Sequence, residues 1–388
     1  MAKFELSDKL RKLPPYLFAE IDKKKKAAIA AGRDVINLGI GDPDRPTPAF
    51  VIDALAKAAR DPATHQYALD NGDPGFRSAI AEFLHRRYGV KLDPATEIYP
   101  TIGSKEAISH FPLAFLNPGD AALVPEPGYP PYRSGVIFAG GEPVLMPLTA
   151  ESGFFPRLDR IPERDAKRAR LIYVNYPNSP SGKLATKQFF AELVDFARRY
   201  NLIIVQDAAY AEMSFAGRAI SILEMPGARE RSIEFHSLSK TFNMTGWRVG
   251  WACGAAELIA GLGRVKTNVD SGIFTAIQRA GAAALAGYDG FVPELIEMYR
   301  KRRDTFCGKL NRLGWKVDPP EATFYCWIRC PAGYASEKTA TKILDEANVV
   351  VTPGNGFGPS GEGYIRATLT VEEGRLAEAA ERIAALDW

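Results

Sequence analysis

The chain has few of the residues that staple small folds or bind metals. Four cysteines and four histidines occur in 388 residues. Cys253, Cys307, Cys326 and Cys330 form no CxxC pair, and His65, His85, His110 and His236 are scattered, so neither a disulfide framework nor a zinc site is expected. An excess of one charge is also lacking. With 49 Lys and Arg against 46 Asp and Glu, the chain offers no global basic field for nucleic acid. No apolar run approaches the roughly 20 residues needed to span a bilayer, and the opening "MAKFELSDKLRKL" lacks the uninterrupted apolar stretch of a signal peptide. The expectation is a cytoplasmic protein with neither membrane nor nucleic-acid partners. Internal repeats and low-complexity linkers are absent as well, so the length implies a large core and more than one domain.

What is present is rhythm. Between about residues 50 and 285, short apolar runs alternate with amphipathic segments, the pattern of strands and crossover helices in a mostly parallel α/β sheet. "AALVPEPGYP", "ARLIYVNYPNSPSG" and "LIIVQDAAY" each read as a buried strand running into a turn, where open α/β sheets bind ligands. "TKQFFAELVDFARRYN" predicts a helix with Phe189, Leu193 and Phe196 on one face. The run Lys23 to Lys26 reads as a solvated helix face opposite a stripe of Leu17, Ile21 and Ile29. Near residue 290 the texture changes. A long charged helix, a strand in "EATFYCWIRC", helix then strand in "ATKILDEANVVVTPG", and strand then helix in the tail predict a smaller α+β domain. The expected division is 47–288 for a large domain and 289–388 for a small one, with 1–46 packing back onto the latter.

One stretch concentrates chemistry. "EFHSLSKTFNMTGWRVGW" sets Lys240 among hydroxyls and follows it with Gly246 and Arg248. A lysine amine is the nucleophile for a Schiff base with an aldehyde. If that aldehyde is aromatic and phosphorylated, it also needs an anion site, an acid partner for its ring nitrogen and a flat group to stack on. Ser237, Ser239 and Arg248 supply donors and positive charge. "TIGSKEAI" adds Gly103, Ser104 and Lys105 at a strand-to-helix turn, where free amides favour an anion. Asp207, where the strand in "LIIVQDAAY" gives out, can keep a pyridine nitrogen protonated, which makes the ring an electron sink. Taken alone, it reads equally well as a cap for the following turn. Tyr210 can bond a phenolic oxygen, and Tyr129 in "PEPGYPPY" can stack on the ring.

"SLSKTFNMTGWRVG" resembles the lysine motif of the fold type I, pyridoxal-phosphate-dependent class I/II aminotransferases, and the likeness runs over nearly the whole chain. The resemblance implies a large domain built on a mostly parallel seven-stranded sheet. It implies Lys240 as the Schiff-base lysine, Ser237 and Arg248 as phosphate ligands, Asp207 at the ring nitrogen and Tyr210 at O3′. It further implies that Arg366 in "YIRATL" clamps the substrate α-carboxylate, and that Ile40 and Gly41 in "LGIGDPDRPTP" form a lid. Tyr67 would reach the phosphate of a neighbouring subunit, which makes the active unit a homodimer. Where the family has Asn-Pro-Thr-Gly, this chain has "YPNSPSG". Ser179 stands at the Asn position with Asn178 beside it, and either could meet O3′.

Within the family, "LPPYLFAEI", "GSKEAISHFPLAFLNPGD" and "NVDSGIF" are most similar to members acting on LL-diaminopimelate. That implies glutamate and 2-oxoglutarate as the second substrate pair. It also implies distal polar partners, for which Tyr16, Lys105 and Asp70 of the partner subunit are the candidates. An aminotransferase for aspartate, alanine or aromatic amino acids would share every cofactor residue, and a β-lyase would share Lys240 and Asp207. A cofactor-sensing regulator would need a DNA-binding domain, for which no helix-turn-helix pattern appears.

Overall fold

The computed structural model describes residues 4–13, 18–68 and 71–388, with the side chains of 18–21 outside the description. Twelve short strands are present among the described residues. In chain order, β1 is Ile36–Asn37, β2 Ile98–Thr101, β3 Ala121–Glu126, β4 Glu142–Pro147, β5 Ala169–Asn175 and β6 Ile203–Asp207. They continue with β7 Ser232–Ser237, β8 Gly250–Gly254, β9 Tyr325–Arg329, β10 Val349–Val350, β11 Thr352–Pro353 and β12 Tyr364–Thr368. The expected seven-stranded sheet runs in the order β2-β8-β7-β6-β5-β3-β4. All of its pairings are parallel except the two made by β8.

Alternation along these strands feeds two cores, one on each face of the sheet. Ile172, Val174 and Ile204 pack into one cluster, while Leu171, Tyr173 and Val205 pack into the other. Both faces are covered by helices, so the central strands read as continuous apolar runs. The helix Lys187–Tyr200 shows how one of these is specified. Thr186 caps it by accepting from the Phe189 amide at 3.1 Å, and Asn201 ends it in the left-handed region at φ 53°. Its buried face is Phe189, Phe190, Leu193, Val194 and Ala197, with Phe196 only at the margin.

A third core surrounds the sheet β11-β12-β9 and includes the far half of the long helix Tyr288–Arg312, together with Ser336–Ala347 and Glu373–Ala384. Tyr288 and Val292, at the start of the long helix, belong instead to a core of the larger sheet. The expected boundary at 288/289 therefore falls in the first turn of a helix that both cores share. The N-terminal segment reaches the third core through β1, which pairs in parallel with β10. The strand expected within "VVVTPG" is divided between two partners: β10 joins β1, and β11 joins β12.

One helix differs from expectation. Among the described side chains of Phe18–Ala30 the buried one is Ala28, while Ile29 is 54% exposed. Lys25, which reaches Asp22 at 2.6 Å, is more covered than Lys26. Leu17 lies outside the described residues, as does the side chain of Ile21. Among the described residues no helix is long and apolar enough to cross a membrane.

Candidate active site

β3, β5, β6 and β7 are parallel neighbours, so their carboxyl ends, Glu126, Asn175, Asp207 and Ser237, come to one edge of the sheet. A cleft of about 470 Å³ opens there. From the sheet side it is lined by Ser104, Lys105, Tyr129, Ser179, Asp207, Tyr210, Ser237, Ser239, Lys240 and Arg248. From the opposite side come Gly41, Tyr325, Phe357 and Arg366. Candidate residues from seven separate stretches of sequence thus meet in one space.

Lys240 lies in the single helical turn Leu238–Thr241. This turn and the following loop are held at both ends by the β7–β8 ladder, where Ser237 faces Gly250 and the Leu238 amide donates to the Val249 carbonyl at 3.2 Å. The amine donates to the Gly41 carbonyl at 2.7 Å and lies 5.6 Å from the centre of the Phe324 ring. Burial holds its pKa below the ordinary lysine range. The nearby charges of Arg366 and Arg248 act in the same direction, against Tyr325 and Asp42.

The Asp207 carboxylate is buried and accepts two bonds, from the Tyr132 hydroxyl at 2.7 Å and the Ala209 amide at 3.0 Å. Burial raises its pKa, and those two donors, with His236, oppose the rise. Tyr132 was not singled out in the sequence, although it lies three residues after Tyr129 and meets it edge-on. Removing its hydroxyl takes away a bond that favours the charged carboxylate and should raise the Asp207 pKa further. Tyr132→Phe is accordingly expected to move the acidic limb of kcat/KM to higher pH, and a pH–rate profile measures it. An unmoved limb would mean that Asp207 does not govern it.

The Tyr210 hydroxyl lies 2.9 Å from that of Tyr325, and burial pushes the Tyr210 pKa up. Tyr325 also explains Gly41, because a Cβ there would overlap the Tyr325 ring and hydroxyl. The loop bearing Gly41 is tied down by Asp44, whose two oxygens each take a 2.7 Å bond from the buried Arg302. Ile40 is 49% exposed and does not line the cleft; its carbonyl accepts from Thr370 at 3.2 Å.

Arg366, on β12, is 5% exposed. Its guanidinium lies over the rings of Tyr325 and Phe357 at 4.1 and 4.6 Å and donates to the Gly39 carbonyl at 3.1 Å. Among the described residues its buried Nε has no partner. Burial lowers its pKa from the usual arginine value. A buried cation left open on the cleft side is costly unless an anion arrives.

At the other end of the cleft, the helix Gly103–Phe115 begins without a side-chain cap at Ile102, so its first amides are free for an anion. Gly103 has φ 71°, and a Cβ on it would overlap the Arg248 guanidinium. Arg248 itself takes a left-handed backbone at φ 55° and donates to the Thr245 carbonyl at 2.8 Å. The Ser237 side chain accepts from the Ser239 amide at 3.2 Å.

Ser179 lines the cleft, whereas the Asn178 amide is turned into its own turn. Asn178 Oδ1 accepts from the Ser181 amide and hydroxyl, at 3.0 and 2.6 Å, and its Nδ2 donates to the Asn175 carbonyl. Asn178 is thereby corrected from a cofactor contact to a support of the turn that presents Ser179. Asn175, missed in the sequence, holds the Ser179 amide at 2.7 Å and also lines the cleft. Tyr67 is 77% exposed and stands apart from the cleft. Tyr16 and Asp70 lie outside the described residues.

The family model for aminotransferase class I and II matches residues 33–383. The chain belongs to this family. Among its relatives, the LL-diaminopimelate aminotransferase of Syntrophobacter fumaroxidans is 52% identical over 386 residues, 99% of this chain and 100% of that one. The LL-diaminopimelate aminotransferase of Aquifex aeolicus is 52% identical over 382 residues, 98% of each. Among solved structures, substrate-bound BacF from Bacillus subtilis is similar at a TM-score of 0.94 and 36% identity, covering 99% of this chain and 98% of that one. As a class I/II aminotransferase, the protein depends on pyridoxal 5′-phosphate and acts on small amino and keto acids. The site fits the cofactor on structural grounds. It offers uncapped helix amides beside Arg248 for a phosphate and a buried carboxylate for a ring nitrogen, with a desolvated amine between them.

Proposed function

We propose that this aminotransferase moves an amino group between LL-diaminopimelate and 2-oxoglutarate, in the biosynthesis of lysine and diaminopimelate. Likeness along the whole chain to LL-diaminopimelate aminotransferases supports the substrate. The observation that carries the site assignment is Arg366, a buried guanidinium whose Nε has no partner among the described residues and which lines the same cleft as Asp207.

Ser237, Ser239, Arg248 and the first amides of the helix Gly103–Phe115, including those of Ser104 and Lys105, would hold the phosphate. Asp207 would hold the ring nitrogen, Tyr210 and Ser179 the phenolic oxygen, and Tyr129 the ring face. When bound, the cofactor takes up the electron pair left at the substrate Cα. Arg366 orients the substrate through its α-carboxylate, a task suited to a planar fork. Lys240 would take the proton from the substrate Cα, and its lowered pKa favours the neutral amine that a base requires. Tyr325 and Gly41 close the substrate side against water. Because Arg366 serves both the amino acid and the keto acid, discrimination falls to the distal pocket, for which Lys105, Tyr16 and Asp70 of the partner subunit are the proposed residues. The exposure of Tyr67 suits a homodimer in which it completes the neighbour's phosphate site.

The purified cofactor-loaded protein, mixed separately with LL- and meso-diaminopimelate, aspartate, alanine, glutamate and phenylalanine, tests this by visible absorbance. Rapid conversion to the pyridoxamine form by LL-diaminopimelate and glutamate, with little by the meso isomer, is expected. Conversion by aspartate or alanine with LL-diaminopimelate inert would keep the aminotransferase and discard this substrate. Release of ammonia and pyruvate without a keto acid would indicate a β-lyase instead.

A further inference from the structure

Lys266 is 1% exposed, which is rare for a lysine. Its amine sits between two carboxylates, 3.0 Å from Glu106 and 2.9 Å from Asp270. Glu106 belongs to the first turn of the helix Gly103–Phe115, the same helix end to which the phosphate is assigned above. Its Oε2 also accepts from the Ile102 amide at 3.1 Å, and its Oε1 lies 2.9 Å from His110 Nδ1. The Ile102 carbonyl in turn meets an Arg248 nitrogen at 3.4 Å. A short chain of bonds therefore runs from the buried lysine to the arginine beside Gly103.

The electrostatics of this arrangement raise a problem that Lys266 solves. A carboxylate in the first turn suits the helix dipole, but it also places negative charge where a phosphate dianion must come. Asp270 adds a second. Lys266 neutralises one of these charges from within the protein, where screening by salt is weak. We infer that Lys266 and Glu106 are positioning residues for the phosphate turn: Glu106 fixes the Ile102 amide and, through the Ile102 carbonyl, Arg248, while Lys266 cancels the charge that Glu106 brings. The inference rests on the phosphate assignment made above.

The test uses the full chain stripped of cofactor and compares the dissociation constants of pyridoxal phosphate and of pyridoxal, which lacks the phosphate. Lys266→Met should weaken pyridoxal phosphate by about tenfold, as expected for an uncovered charge within roughly 10 Å at intermediate dielectric, and leave pyridoxal within about twofold. Adding Glu106→Gln, which keeps an oxygen for the Ile102 amide but removes the charge, should restore most of the loss. Equal weakening of both ligands, or no recovery in the double variant, overturns the inference. If Lys266→Met does not fold, Glu106→Gln alone decides: tighter pyridoxal phosphate with unchanged pyridoxal supports the inference, and no gain sinks it. Arg248→Ala separates the two levels, since a ratio that it leaves unmoved refutes the phosphate assignment itself.

Discussion

Lys240→Ala is expected to lose turnover by roughly 10⁴-fold or more, because both the nucleophile and the group that carries the proton disappear together. The variant should still fold. Its new side chain occupies a turn pinned by the β7–β8 ladder, and among the described residues the losses are the bond to the Gly41 carbonyl and the approach to the Phe324 ring. It should also still bind the cofactor through the phosphate site, at reduced affinity and without the absorbance of a lysine adduct. Steady-state kinetics beside thermal unfolding separates this outcome from collapse, and full activity would end the assignment. The same residue gives a pH signature in the unaltered protein. Burial lowers the Lys240 pKa, so the neutral amine persists to lower pH than in an ordinary lysine. Capture of cofactor by the stripped protein should therefore quicken as pH rises and level off below the usual lysine value of about 10.4.

The second large effect concerns Arg366. Arg366→Gln keeps a hydrogen-bond donor near the Tyr325 and Phe357 rings but removes the charge and the fork. Loss of one partner from a desolvated carboxylate pair costs about 2–5 kcal/mol, which corresponds to a fall in kcat/KM of about 30-fold to 5000-fold for every amino acid and keto acid. The fall should be alike for both half-reactions, since the α-carboxylate is common to them. A diamine with no carboxylate provides the control: its slow reaction should be almost unchanged. A variant that lost activity toward the diamine as well would point to a misplaced Tyr325 rather than a missing clamp. That outcome is distinct because Tyr325 bonds Tyr210 on the cofactor side.

Much of this site was legible because its residues sit at local landmarks. Asp207 ends a strand, Gly103 begins a helix, and Lys240 occupies a turn rich in hydroxyls, so each announces itself in a window of a few residues. Tyr132, Tyr325 and Asn175 do not. Tyr132 is one of several aromatics in and near a helix, and its bond to Asp207 joins positions far apart in sequence. Tyr325 lies within an apolar strand and reads as core, which it also is. Asn178 misled for a related reason: in a turn dense with polar groups, a neighbour's amide and hydroxyl claimed its side chain before any ligand could. Ile29, expected on the inward stripe, is exposed, and Ala28 beside it packs with Leu344 and Val350 instead, distant partners that its own window does not contain. Strand pairing was legible as alternation, yet the division of "VVVTPG" between β1 and β12 depends on distant partners that no local window contains.

Lys240 and Asp207 hang from the seven-stranded sheet, whereas Arg366 and Tyr325 belong to the three-stranded one. The span between the amine and the guanidinium is thus a single rigid-body coordinate, the placement of one sheet against the other. Ladder register, by contrast, fixes everything around the ring nitrogen and the phosphate. Because the amino nitrogen and the α-carboxylate flank one carbon in every α-amino acid, a slide along that coordinate would impair all substrates alike while leaving the cofactor's surroundings intact.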